Sequence, residues 1–188
     1  MVVSAGDPPS FPLLVNVLRS GGVAVVPCDT MYGLVGIVPG SEARIRGIKG
    51  REEGKRFLQL LAESSWVGRV ADFEVPVRLL RYWPGPLTLV VPARAGGTVA
   101  VRVPDSSFLR ELLDSIGAPL YSTSVNRAGN PPLRRISDIR REFGDEVDLL
   151  FDAGDLPPGR PSTVLDVTVR PFRVLRPGAV VLAPEDLA

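Results

Sequence analysis

Short apolar runs rich in β-branched residues recur along this chain, and each meets proline or glycine within a few residues: "VAVVP" at 23–27, "LTLVVPA" at 87–93 and "TVAVRVP" at 98–104. Runs of this length and composition fit strands rather than helices, and the prolines limit how far each can extend. Stretches with helical spacing lie between them. In "SFPLLVNVLRSGG" (10–22), Leu13, Leu14, Val17 and Leu18 share one face, Ser10 is placed to cap, and Gly21 and Gly22 stop the helix. "SEARIRGIKG" (41–50, capped by Ser41), "VPVRLLRYW" (75–83), "SSFLRELLDSIG" (106–117) and "SDIRREFG" (137–144) read the same way. "MYGLVGIV" (31–38), "RFLQLLA" (56–62), "PLYSTS" (119–124) and the late stretches "VDLLFDAG", "STVLDVT" and "FRVLRPG" complete the strands. Interleaved strands and helices define an α/β domain, and the hairpin signal "RAGG" makes its sheet mixed rather than purely parallel. No composition shift divides the chain, so residues 1–188 are expected to form one domain.

What the chain lacks bounds its chemistry. It has one cysteine, Cys28, which excludes an intramolecular disulfide or a cysteine-clustered zinc site and fits a reducing cytoplasm. The opening "MVVSAGDPPSFP" has neither the basic nor the long apolar segment of a signal peptide. No apolar run approaches the ~20 residues that cross a bilayer. There is no histidine, which removes Ser-His-Asp triads, histidine bases and histidine metal ligands together. Lys, Arg, Ser, Thr, Tyr, Asn and the carboxylates remain. That set suits holding phosphates and carboxylates better than shuttling protons near neutrality. A net charge of +1 gives no global pull toward nucleic acid or membrane.

Some segments concentrate groups that could use such chemistry. Both lysines of the chain, Lys49 and Lys55, fall in "GIKGREEGKRF" (47–57). Lys49 and Arg51 flank Gly50 at an expected helix end, on a loop expected to be exposed, and could converge on one polyphosphate. A solvated basic turn has the same spacing. "STSVN" (122–126) places Ser122, Ser124 and Asn126 on alternate positions at the C-terminal end of a strand. That is a common ligand location in α/β sheets, although an ordinary polar turn shares the pattern. "VPCDTMYGL" (26–34) sets Thr30 and Tyr32 on alternate positions, with Gly33 permitting close backbone approach. Cys28 has no activating partner and reads as a buried thiol rather than a nucleophile. Arg102 interrupts the apolar strand "TVAVRVP" on the face that carries Thr98. A guanidinium there needs either a structural ion pair or a ligand carboxylate. "PSTVLD" (161–166) and "LRPG" (175–178) bring Ser162 and Arg176 to strand ends.

Taken in order, "GGVAVVPCDTMYGL", "IKGREEGKRFLQLLA", "YWPGPLTLVVPA", "VAVRVPD", "PLYSTSVNRAGNPP", "PSTVLDVT" and "VLRPGAV" resemble the YrdC-like threonylcarbamoyl-AMP synthase family, from about residue 13 to residue 180. The resemblance implies a twisted, mixed, open α/β sheet with flanking helices around a concave basic cavity. It implies synthesis of threonylcarbamoyl-adenylate and pyrophosphate from L-threonine, bicarbonate or CO2, and ATP, with Mg²⁺ accompanying the phosphates and no metal ligated directly by the protein. Partner proteins would then move the threonylcarbamoyl group to an adenosine of tRNA, and tRNA or double-stranded RNA is a further partner the basic cavity would admit. The family's K-x-R and S-x-N pattern falls on Lys49, Arg51, Ser124 and Asn126 as the catalytic nucleotide set. Thr98 and Arg176 would also contact ATP, and Thr30, Tyr32, Arg102, Ser122 and Ser162 would line the threonine pocket. The chain departs from the family at Cys28, where Thr is common, and at Glu52, where Pro is frequent. Glu52 and Glu53 also bring negative charge beside the phosphate cations. The rival readings are a non-catalytic RNA- or nucleotide-binding module of the same fold, and an enzyme that adenylates carbamoyl phosphate.

Overall fold

The computed structural model describes residues 1–188 except 51 and 53–55, so the expectations for Arg51, Glu53 and Lys55 lie outside the described residues. The strands are β1 (Val2–Ser4), β2 (Val23–Pro27), β3 (Tyr32–Ile37), β4 (Leu58–Leu60), β5 (Leu87–Pro92), β6 (Thr98–Arg102), β7 (Leu120–Ser124), β8 (Leu149–Asp152), β9 (Thr163–Asp166) and β10 (Arg173–Arg176). They form one sheet in the order β1-β8-β2-β3-β7-β4-β6-β5-β9-β10. β2/β3, β3/β7, β4/β7, β5/β6 and β9/β10 are antiparallel, whereas β1/β8, β2/β8, β4/β6 and β5/β9 are parallel, so the sheet is mixed as expected. The helices are α1 (Ser10–Arg19), α2 (Glu42–Lys49), α3 (Val67–Val70), α4 (Val77–Leu80), α5 (Ser107–Ile116), α6 (Ile136–Phe143) and α7 (Pro184–Leu187). None of them is long and apolar enough to cross a membrane.

Register explains where the helices stop and a cleft begins. Val35 and Leu58 both oppose Ser122, Gly33 opposes Ser124, Leu58 also opposes Ala100, and Leu60 opposes Arg102. Side chains alternate along strands, so these residues share one face. On the β2–β3 side this face carries Ala24 and Val26, packed with Leu14 and Leu18 of α1 and Leu109 and Leu113 of α5. The opposite face holds Val25, Leu34, Tyr121 and Leu150 against Ile45 and Ile48 of α2 and Ile139 and Phe143 of α6. Further along, Leu89, Val101 and Leu165 pack with Trp66, Leu79 and Trp83. What stays uncovered is the first face over β4, β6, β5 and β9, where Leu58, Ala100, Arg102, Thr88 and Val164 line an open cleft.

A β-bulge completes that face. Val174 opposes Leu165, yet the next pair is Arg176 with Val164, so Leu175 is the extra residue. In regular register Leu175 would stand beside Val164. The bulge puts Arg176 there instead and aims a cation over the cleft.

Some local expectations change. β1 escaped the sequence reading because three residues carry no usable periodicity; it exists by pairing in parallel with β8, far along the chain. The helix expected over 75–83 is the single turn of α4. Pro84 lacks the N–H that the Leu80 carbonyl would need, and Trp83, as the residue before proline, is disfavoured in helical geometry. Ser10 lies inside α1 rather than ahead of it, and Ser41 precedes α2, yet neither makes a side-chain cap. Both are buried, and the Ser41 hydroxyl has no hydrogen-bond partner among the described residues. Gly50 does stop α2, with φ 60°.

Candidate active site

The cleft has a volume of about 600 Å³. Its charged lining is Arg56, Arg102, Arg134 and Arg176, and no carboxylate lines it among the described residues. Each arginine arrives by a different route. Arg102 ends β6, Arg176 follows the bulge in β10, Arg56 leads into β4, and Arg134 comes from the loop after β7.

Arg102 is nearly buried and pairs with Asp29 at 3.0 Å, with side chains 4% and 7% exposed. Asp29 Oδ2 also accepts the Asp105 N–H at 3.2 Å, which anchors the β2–β3 loop to the segment after β6. The Arg102 Nε is buried without a hydrogen-bond partner. The structural ion pair anticipated as one alternative therefore exists, and it leaves donor capacity on Arg102 unspent. Arg176 donates from Nη2 to the Ser162 carbonyl at 2.8 Å and to Ser162 Oγ at 3.2 Å. Burial, and after it the charge of Arg102, hold the Arg176 guanidinium below its ordinary value. Two like charges left this close favour an anion between them.

Lys49 is not the exposed loop residue that its glycine neighbour implied. It is 4% exposed. Its Nζ donates to the Ser124 carbonyl at 2.6 Å, to the Asn126 carbonyl at 2.9 Å and to Asn126 Oδ1 at 2.9 Å. Ser124 Oγ donates to the same Oδ1 at 2.6 Å. The structure thus brings Lys49, Ser124 and Asn126 into one hydrogen-bonded cluster, in which the ammonium ties the end of α2 to the turn after β7. Ser124 lines the cleft, whereas Lys49 and Asn126 are not among its described lining residues.

Thr30, Tyr32, Ser122 and Ser162 all line the cleft. The Tyr32 hydroxyl is already engaged: it donates to the Gly154 carbonyl at 2.7 Å and accepts the Ala153 N–H at 3.0 Å. Burial pushes its pKa up. Tyr32 therefore fixes the segment after β8, which crosses the β2–β3 loop so closely that a Cβ on Gly159 would lie 2.0 Å from the Thr30 carbonyl oxygen. Thr98 does not join the others. It is exposed at the start of β6, one step out along the face of Ala100 and Arg102, and its carbonyl accepts from Arg56.

The sequence reading missed Arg56, Arg134 and Thr88. Arg56 lies within the lysine-bearing segment 47–57, and Thr88 could have been found by extending the alternation of "LTLVV" against Arg102. Arg134 lies in a loop, where no periodicity reports direction.

Cys28 also touches the cleft and is half-buried. Burial pushes its thiol up to about 12, with nearby Arg102 offsetting part of the rise. A thiol titrating there is neutral at pH 8, and the thiolate is the nucleophile. Cys28→Ser should keep most of the activity, and the intact protein should react with a disulfide reagent far more slowly at pH 8 than after unfolding. A folded, inactive Cys28→Ser variant would contradict this.

The mixed open sheet with flanking helices is the fold of solved Sua5 and YciO structures. The chain belongs to the Sua5/YciO/YrdC family: the family model, described as telomere recombination, matches residues 16–178. The threonylcarbamoyl-AMP synthase of Thiobacillus denitrificans is 38% identical over 167 residues, covering 80% of this chain and 87% of that protein. That of Chromohalobacter salexigens is 34% identical over 170 residues, covering 81% and 90%. Among solved structures, P. abyssi Sua5 complexed with L-threonine superposes with a TM-score of 0.85 at 26% identity. That match covers 95% of this chain but 57% of the P. abyssi chain, so this chain spans little more than half of that protein. E. coli YciO shares the fold, with a TM-score of 0.81 over 95% of this chain and 94% of its own.

Proposed function

We propose that this chain is an L-threonylcarbamoyladenylate synthase, consuming L-threonine, bicarbonate or CO2, and ATP, and releasing pyrophosphate. The observation that carries the reading is a cleft with four guanidiniums and no carboxylate in its described lining, in a chain whose relatives are named for this activity. Carboxylate, carbamate and polyphosphate all carry negative charge. Bringing them together is a problem of positioning and charge stabilisation, which fixed cations and hydroxyls solve.

In the first step the threonine amine nitrogen bonds to the carbon of CO2, one C=O π pair moves to oxygen, and the amine proton passes to water, leaving a carbamate. From bicarbonate the same bond forms as the C–OH bond breaks and the hydroxyl leaves with the amine proton as water. A carbamate oxygen then bonds to the α-phosphorus as its bond to the pyrophosphate oxygen breaks, and pyrophosphate carries away the electron pair. Arg102 would hold the threonine carboxylate with the edge that Asp29 leaves open, helped by Ser122, Ser162, Thr30 and the ring of Tyr32. Arg176 and Ser124 would face the nucleotide, with Thr98 at its outer edge, and Arg51 would bind it by the family's K-x-R pattern. Lys49 and Asn126 would serve it by holding the turn that carries Ser124. Mg²⁺ would come with ATP and supply charge neutralisation at its phosphates. The product would pass to partner proteins that modify tRNA, in the cytoplasm.

The test is pyrophosphate release from ATP with threonine and bicarbonate added singly and together. Release should require both. Release indifferent to threonine would overturn the proposal.

A further inference from the structure

Thr88 has no part in the scheme above, yet it is 3% exposed and lines the cleft. Leu89 opposes Val101, which sets Thr88 beside Arg102 on the cleft face, and Thr88 itself opposes Val164. Its Oγ1 lies 2.8 Å from Ser162 Oγ, a residue 5% exposed. Ser162 Oγ also receives the Arg176 Nη2 at 3.2 Å.

A hydroxyl has one proton to give and two lone pairs to accept with. If Thr88 donates to Ser162, the serine oxygen accepts from both Thr88 and Arg176, and its own proton has no acceptor among the described residues. If Ser162 donates to Thr88, the threonine proton is the one left over. In either arrangement the pair retains one O–H donor, at a site walled by Arg102 and Arg176. An unspent donor buried at this depth is costly unless something accepts from it.

We infer that Thr88 and Ser162 act as one donor unit, whose spare proton binds an anionic oxygen of a substrate, a carboxylate or a phosphate, lodged between Arg102 and Arg176. This rests on the proposed reaction only for the identity of the anion; the geometry concerns the chain's own hydroxyls.

The experiment compares Thr88→Val, which keeps the shape and loses the hydroxyl, with Thr88→Ser, which keeps the hydroxyl. Pyrophosphate release gives the KM for threonine and for ATP, and calorimetry gives the ATP Kd without turnover. Thr88→Val should weaken one of the two substrates about 10- to 150-fold, as expected for a hydrogen bond to a charged group. Thr88→Ser should stay within about twofold of wild type. A rise in the threonine KM alone assigns the carboxylate, and a weakened ATP Kd assigns a phosphate. Ser162→Ala combined with Thr88→Val should lose little beyond the worse single change, because either change breaks the same unit. Thr88→Val with both substrates unaffected, or losses that add fully in the double variant, would overturn the inference. If Thr88→Val does not fold, a Thr88→Ser variant as impaired as Ser162→Ala would overturn it equally. Wild-type release indifferent to threonine would instead overturn the proposed reaction and leave the calorimetric comparison standing.

Discussion

Arg102→Lys should raise the threonine KM by about 10- to 150-fold while leaving the ATP KM within a few-fold, the size expected for losing a hydrogen bond to a charged group. Lysine keeps the charge but not the planar fork, so it cannot hold Asp29 with one edge and a carboxylate with another. Arg102 pairs with Asp29 at 3.0 Å inside the protein, so its effects on folding and on binding must be separated. Arg102→Ala leaves a buried carboxylate unpaired and should cost about 3–5 kcal/mol of stability. Arg102→Leu with Asp29→Asn removes both charges and should fold better than Arg102→Ala, while still failing to bind threonine. Recovery of threonine binding in that double variant would show that Arg102 serves only its partner.

Lys49→Ala should fail in a different way. Its ammonium reaches two carbonyls and an amide oxygen within 2.9 Å, in a residue 4% exposed. Removing one partner of a buried hydrogen bond costs about 1–3 kcal/mol. Taking about 3 kcal/mol for the cluster, Tm should fall by roughly 6–12 °C in a chain of this length. Activity should fall by about 30- to 1000-fold, because the turn carrying Ser124 loses its anchor, an effect comparable with deleting a positioned donor at a reacting oxyanion. Lys55→Ala, at the only other lysine, should lose much less of both. Thermal melts beside pyrophosphate release decide the case. A Lys49→Ala protein that melts like wild type would refute the anchoring role, and equal behaviour of the two lysine variants would reduce the segment to a basic loop.

The strands and most helices were legible because they carry their own signals. "VAVVP" and "LTLVVPA" need one face or both buried whatever they pack against, and "SSFLRELLDSIG" holds its apolar stripe, its capping serine and its glycine stop within a dozen or so residues. α5 begins where that pattern says, with Ser106 Oγ accepting from the Leu109 N–H, and ends at Gly117 with φ 78°. The pattern failed where a neighbour's geometry overrode it. α4 stops short because Pro84 follows, and β1 exists only because β8 offers an edge.

The site divides along the same physical line. Residue types and their order along the chain were enough to narrow the chemistry to cations and hydroxyls without histidine, and to single out Arg102, Ser122, Ser124, Ser162 and Arg176. Those are local facts: an arginine inside an apolar run, or hydroxyls at a strand end, can be read without knowing the fold. Which cation lines the cleft is a matter of register, burial and competing partners, set by strands distant in sequence. The β-bulge at Leu175 turns Arg176 over the cleft, Asp29 occupies one edge of Arg102, and the turn after β7 draws Lys49 inward until its donors are bonded. Arg56, Arg134 and Thr88 joined the cleft in the same way, because only packing determines which half of a sheet face the helices leave open.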